Sequence, residues 1–266
     1  MAFCDRPERI RNPKKHLGPH DNVWIDIPCG KCYGCLQKKC DEWVHRMQLE
    51  DKHSSTLTWF CTLTYDEENL PLRGCDIATA KTFTKALRDK YKGCKIYLIS
   101  EYGPTTNRPH YHLVLFHTTS DQYEIIKYLQ KFWKYGNIKC ELVTPNRMAY
   151  CAGYHFSVNE VPEGQNKNFR LISKGIGKMT PEEAESIKRY KRFVVRRPDG
   201  YKQPLERYNF DKIYTNETVR HELKLQRQQI AMDIFKHESR NFTQLGDLQL
   251  WNDIKLQRRK KSKKHL

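Results

Sequence analysis

No run of apolar residues in the chain approaches the roughly 20 that a membrane-spanning helix requires. Met1–Ile10 (MAFCDRPERI) likewise lacks the apolar stretch of a secretory signal. Neither a membrane partner nor export is therefore expected. Internal repeats and long Gly/Ser linkers are also missing, which argues against a solenoid or a string of tethered modules. Acidic residues are scarce, with 31 Asp and Glu against 48 Lys and Arg, leaving a formal charge of +17 at pH 7. Only 38% of the 266 residues are hydrophobic, and the mean hydropathy is −0.84. Yet 5 Trp, 15 Tyr and 11 Phe can furnish a core, so the chain does not have the composition of a disordered one. Its length suits one domain of about 150–200 residues with appendages, or two small ones. The positive excess points to a polyanionic partner, nucleic acid first, with a merely basic surface as the plain alternative.

With no export expected, the ten cysteines meet a reducing compartment, where a disulfide framework does not persist. Six are scattered (Cys4, Cys61, Cys75, Cys94, Cys140 and Cys151) and suit ordinary packing. Four fall in one run, Cys29-Gly-Lys-Cys32-Tyr-Gly-Cys35-Leu-Gln-Lys-Lys-Cys40. Cys29, Cys32, Cys35 and Cys40 would supply four thiolates for a tetrahedral Zn²⁺ site. The spacing is also near that of bacterial ferredoxins, but the last interval is one residue longer and no Pro follows Cys40. Zn²⁺ is therefore preferred to an iron–sulfur cluster, with packing cysteines at a helix start as the alternative.

Periodicity gives an outline of the fold. A polar arm containing Pro7, Pro13 and Pro19 precedes a helix predicted over about 36–52, where Cys40, Trp43, Val44 and Met47 share a face. Thr58–Tyr65 reads as a strand, and Phe83, Leu87 and Tyr91 mark a helix over about 79–91. Ile96–Glu101 and Tyr111–Phe116 are predicted strands joined by a loop rich in Gly, Pro and Asn. Ile125, Leu129, Phe132 and Trp133 mark another helix, Asn137–Val143 a short strand, and Arg147–Phe156 a further helix. Thr180-Pro-Glu-Glu183 has the form of a capping box, opening a helix from Pro181 to about Phe193. A long, weakly apolar helix is expected over Glu217–Lys236.

The segment Arg108-Pro-His-Tyr-His-Leu-Val-Leu-Phe116 carries the strongest chemical signal. On a strand, His110 and His112 point to one face, with Tyr111, Leu113 and Leu115 on the other. Two imidazoles so placed are close enough to share a divalent cation. An antiparallel return from the preceding strand would bring Glu101 beside His110. Two His and one carboxylate form a ligand set with open positions, suited to Mg²⁺, Mn²⁺ or a transition metal. Two histidines filling a polar sheet surface are the simpler reading of HxH alone. Tyr150 and Tyr154, four residues apart, would stack on one side of a helix, either as a packing pair or as two phenols. A phenol of pKa about 10 attacks only when a base or Lewis acid activates it.

Taken in order, the strand Phe60–Tyr65, the HxH strand and the tyrosine helix resemble the HUH superfamily of rolling-circle initiators and relaxases. Glu101-Tyr-Gly-Pro with Arg108–His112 most resembles the replication initiators of microviruses, in particular gokushoviruses. So do Pro28–Cys35, Trp43, Arg46 and Ser173-Lys-Gly-Ile-Gly177; the likeness spans about 23–177. The resemblance implies a site-specific single-strand endonuclease and ligase acting at a phage origin in the cytoplasm of an infected bacterium. It implies Mg²⁺ or Mn²⁺ on His110, His112 and Glu101, and Tyr150 or Tyr154 as the nucleophile. The products would be a 5′-phosphotyrosine and a 3′-OH primer, which the host helicase and polymerase would extend. Many relatives carry a lysine one turn after the tyrosines; here His155 stands nearby and the next lysines are Lys167 and Lys174. A plasmid relaxase or single-strand transposase would use the same chemistry, and a zinc-bearing nucleic-acid-binding protein would use none.

Lys188–Arg197 holds six Lys or Arg in ten residues. Lys188, Arg189, Lys191, Arg192, Arg196 and Arg197 would contact phosphates, with Tyr190, Phe193 and Tyr201 able to stack on unpaired bases. The expected architecture is α+β, an antiparallel sheet of four or five strands flanked by helices, with a helical basic C-terminal extension. Expected boundaries are an arm over 1–25, a nuclease domain over 26–178, a helical basic region over 179–256 and a basic tail over 257–266.

Overall fold

The computed structural model describes residues 4, 6–13, 23–103, 105–156, 161–197, 200, 202–239, 250, 253–254 and 257. The expected tail beyond Gln257, and Tyr201, lie outside the described residues, as does the side chain of His155. The chain opens with a two-stranded antiparallel ribbon, β1 (Glu8–Arg11) and β2 (Trp24–Ile27). Helix α1 (Tyr33–Lys52) follows, then β3 (Trp59–Thr64), α2 (Ile77–Lys90), β4 (Lys95–Tyr102) and β5 (Pro109–Phe116). Next come α3 (Gln122–Phe132), β6 (Ile138–Leu142) and α4 (Pro145–Ala152), which tightens into a 3₁₀ turn over Gly153–Phe156. The remainder is β7 (Arg170–Ile172), α5 (Pro181–Arg189), β8 (Val194–Arg196), β9 (Lys202–Pro204), α6 (Arg207–Ile213) and α7 (Glu217–Ser239). No described helix is long and apolar enough to cross a membrane.

The expected α+β architecture is present. Its centre is a five-stranded antiparallel sheet in the order β6-β3-β5-β4-β7, covered by helices on both faces. Strand alternation divides the side chains. Cys61, Leu63, Leu98, Tyr111, Leu113 and Leu115 pack under α2 and α3, against Phe83, Leu87, Ile125 and Leu129. Phe60, Tyr97, Ile99, Val114 and Phe116 pack under α1 and α4, against Val44, Met47, Met148 and Cys151. The helices begin where side chains satisfy their first amides: Asp76 caps α2, Asp121 caps α3 and Thr144 caps α4. The Thr180–Glu183 capping box of α5 forms as expected.

Three differences from the sequence reading have physical causes. Helix α5 stops at Arg189 rather than near Phe193, because Lys191 takes a left-handed φ of 46° and the chain returns as the β8–β9 ribbon. The turn-prone residues Pro198-Asp199-Gly200 between these strands are a signal that helical periodicity overrode. The predicted 147–156 helix loses its last turn at Gly153, where helix propensity is lowest.

The Ser173–Gly177 segment clamps α1. The Arg46 guanidinium donates to the Ile176 carbonyl at 2.7 and 2.9 Å and lies between the rings of Trp43 and Tyr208. Gly177 has φ +67°, and a Cβ there would stand 2.5 Å from the Arg46 backbone, so the close approach requires glycine. One turn further along α1, the buried Glu50 carboxylate accepts from Lys95 Nζ at 2.7 Å and from the Gly177 amide at 2.7 Å, and pairs with His117. Burial alone would raise its pKa, but these three partners outweigh burial and hold it below the ordinary value. A depressed carboxylate stabilises the fold above its unfolded pKa of about 4.3, and that stabilisation is lost as pH falls through the folded value. Glu50→Gln should therefore cost about 3 kcal/mol at pH 7, with the deficit shrinking below about pH 4, as read from urea unfolding at both pH values.

Candidate functional site

The central hairpin places the site. In the β4–β5 register Glu101 lies directly opposite His110, and in the β3–β5 register Thr62 lies opposite His112. The antiparallel return expected from the sequence is thus the one formed. The donor atoms of Glu101, His110 and His112 all fall within 4.8 Å of one another, with His112 Nε2 at 3.7 Å from Glu101 Oε2. His112 is buried, whereas Glu101 and His110 are half-buried, so the cluster opens toward solvent at the hairpin end.

Neighbouring groups fix how the imidazoles face. His110 Nδ1 lies 3.2 Å from the Arg108 carbonyl, which can only accept, so Nδ1 carries the proton and Nε2 keeps its lone pair. The same carbonyl accepts from the Gly103 amide at 2.9 Å, which ties ring orientation to the hairpin loop. His112 Nδ1 meets the Thr62 hydroxyl at 3.0 Å, and its ring stacks on Phe60 with centroids 5.6 Å apart. Outer partners of this kind set tautomer and direction in metal-binding histidines. Thr62 and the Arg108 carbonyl were not anticipated. The signal for Thr62 was its place with Thr64 as the polar positions of an otherwise apolar strand.

Two imidazoles and a carboxylate with converging donor atoms fit a divalent cation, leaving other coordination positions open. The geometry therefore suits the ion expected at Glu101, His110 and His112.

The two tyrosines part company. The Tyr150 hydroxyl donates to Glu101 Oε2 at 2.7 Å, and its ring meets that of His112 edge-on at 5.0 Å. Burial first, and then the Glu101 carboxylate, push its pKa upward. Tyr154, expected on the same helical side, is fully buried among Tyr97, Ile99 and Ala152. Its hydroxyl has no hydrogen-bond partner among the described residues. A 3₁₀ turn advances about 120° per residue instead of 100°, so tightening after Ala152 swings Tyr154 off the Tyr150 face and into the core. The structure thus brings one phenol to the cluster.

The cysteine run also rearranges. Cys29, Cys32 and Cys35 gather with Cys4, all four sulfurs within 4.8 Å of one another, while Cys40 is buried on α1 against the Ala149 carbonyl in the core under α4. The expected fourth member, Cys40, is replaced by Cys4. Burial raises the Cys29 thiol pKa, but hydrogen bonds from the Lys31 and Cys32 amides and from neighbouring thiols outweigh it and bring it down to about 7.

Of the basic residues, Lys188, Arg189, Lys191, Arg192 and Arg196 are exposed around the end of α5 and on β8. Lys191 pairs with Glu222 at 3.5 Å, and Arg192 lies over the exposed Tyr190 ring. Arg197 differs, being largely buried beside Asp41 of α1 at 3.9 Å.

Fold and site together define an antiparallel-sheet α+β protein that presents a His-His-Glu cluster and one adjacent phenol. Residues 58–157, which span the HxH strand and Tyr150, match the family of the replication-associated protein ORF2. The replication-associated protein ORF2 of Spiroplasma virus 4 is 29% identical, over 92% of this chain and 93% of its own. Replication-associated protein VP4 of Bdellovibrio phage phiMH2K is 26% identical, over 70% of this chain and 66% of its own. Replication-associated protein ORF4 of Chlamydia phage 1 is 28% identical, over 48% and 37%. The chain is a relative of these phage replication-associated proteins, and the resemblance read from its motifs holds. No solved structure matches it significantly.

Proposed function

We propose that the protein initiates replication of a small single-stranded DNA phage genome by nicking and rejoining one strand at the origin. The carrying observation is the Tyr150 hydroxyl at 2.7 Å from Glu101, inside the cluster formed with His110 and His112. Mg²⁺ or Mn²⁺ on those three residues would supply charge stabilisation to the scissile phosphate, worth several kcal/mol.

The Tyr150 phenolic oxygen attacks phosphorus, and its proton leaves along the hydrogen bond to Glu101. The bond from phosphorus to the 3′ oxygen breaks, and that oxygen takes a proton from water. One O–P bond replaces another, giving a 5′-phosphotyrosine and a free 3′-OH. The exchange conserves the phosphodiester energy, so resealing needs no ATP. The host helicase and polymerase then extend the 3′ end in the cytoplasm of the infected bacterium. The phage relatives favour this setting over a plasmid relaxase or transposase.

The test is covalent capture. A labelled single-stranded origin oligonucleotide with Mn²⁺ should yield a protein–DNA adduct that survives SDS, with the label on Tyr150 by peptide mapping. Absence of an adduct on every strand of the cognate origin overturns the reading and leaves binding alone.

Lys188, Arg189, Lys191, Arg192 and Arg196 act in this scheme as phosphate contacts that carry affinity without sequence information. Each phosphate neutralised contributes about −0.7 to the slope of log affinity against log salt on single strands. Replacing Lys188, Arg189 and Arg192 together by Gln should make the slope shallower by up to about 2 and weaken all sequences alike, as measured by fluorescence anisotropy between about 50 and 200 mM salt. Arg197, held by Asp41, should contribute less to that slope than any of the exposed five.

A further inference from the structure

The β1–β2 ribbon poses a question of stability. It is exposed along most of both strands, none of its residues joins any of the three apolar cores, and an isolated two-stranded ribbon is marginal in water. Its two ends lead to the same point. Cys4 lies four residues before β1, Cys29 lies two after β2, and both meet Cys32 and Cys35 at the start of α1.

We propose that Cys4, Cys29, Cys32 and Cys35 bind one structural Zn²⁺ that staples the N-terminal ribbon to the first turn of α1. Zinc–sulfur bonds of about 2.3 Å place sulfurs about 3.8 Å apart in a regular tetrahedron, so four sulfurs already within 4.8 Å need only a small contraction. The backbone is arranged for thiolates rather than thiols. The Lys31 and Cys32 amides point at Cys29 Sγ at 3.5 and 3.4 Å, and the Cys29 amide points at Cys4 Sγ at 3.3 Å. Amide donors stabilise negative sulfur, as outer partners do in metal sites. Gly30 supplies the left-handed turn, φ +75°, that brings Cys29 and Cys32 onto one centre. Lys39 reaches the Gly30 carbonyl at 3.4 Å and sets a positive charge beside a centre whose four thiolates and Zn²⁺ carry a net −2. Four thiolates complete a closed, structural coordination shell with no open position for catalysis. This centre is separate from the Glu101-His110-His112 cluster.

The full-length chain, purified with zinc in the medium, should carry one tightly held Zn²⁺. Replacement of that ion by Co²⁺ should give a thiolate-to-cobalt charge-transfer band, which the histidine–glutamate cluster does not produce. Cys4→Ser should weaken zinc binding by more than about 100-fold while circular dichroism shows the sheet intact. Cys40→Ser should keep both the zinc and the band. Removing zinc from the wild-type protein should expose Arg9 and Arg11 to trypsin before the sheet is cut. Loss of zinc in Cys40→Ser equal to that in Cys4→Ser would overturn the assignment. So would a purified chain with no bound zinc, or one holding iron with visible charge-transfer absorption.

Discussion

Tyr150→Phe should reduce covalent capture of an origin strand by more than about 10⁴-fold, whereas Tyr154→Phe should change it by less than about tenfold. Both substitutions remove only a hydroxyl. At position 150 the ring contact with His112 and its packing beside α1 remain, so the variant should fold and bind DNA as the parent does. What disappears is the one oxygen held against Glu101. At position 154 the lost hydroxyl is buried with no partner among the described residues, and relieving that desolvation should leave stability unchanged or raise it by about 1 kcal/mol. Capture on a denaturing gel and urea unfolding of the same two proteins separate the effects. A strong activity loss in Tyr154→Phe, with capture retained in Tyr150→Phe, would mean that the 3₁₀ turn reorganises on DNA and the nucleophile is the other phenol.

The site was legible where it depends on local periodicity. HxH on a strand must put both imidazoles on one face, and a short antiparallel return must bring Glu101 opposite His110, whatever the rest of the chain does. The sheet was legible for the same reason: its central strands are β-branched, aromatic and bounded by turn residues. Features set by distant contacts were not. Cys40 follows Cys35 by five helical residues, an axial rise of about 7.5 Å and a turn of about 140° beyond a full circle, so no centre holding Cys35 reaches it. Cys4 is close only because β1 and β2 pair, and these polar four-residue strands have little pattern of their own. Tyr154 left the helical face because Gly153 ends α4, and the cost of one glycine does not reveal which way the next turn will wind.

Ligand substitutions at the sheet site should fall in a definite order. His112→Ala removes a buried donor aimed at Glu101 and should lower capture by about 10³-fold or more, as should a chelator acting on the parent protein. The reason is one of sign. A bare Glu101 carboxylate beside the phenol repels a phosphodiester, so the cluster favours DNA only when its three donors hold a cation. Glu101→Gln retains an acceptor for the Tyr150 hydroxyl but removes a charged donor; it should cost about 10²-fold or more and raise the Mn²⁺ concentration needed. Thr62→Val leaves every donor in place and removes only the partner that orients His112 Nδ1. Thr62 is thus a positioning residue. Its loss should raise the Mn²⁺ requirement by about tenfold, with the rate restored at saturating ion. A merely structural role for Thr62 would instead lower stability and leave the Mn²⁺ dependence unmoved. A parent protein that captured DNA equally well after chelation would remove the cluster from the chemistry, leaving Tyr150 and Glu101 as a hydrogen-bonded pair in the wall of a binding protein.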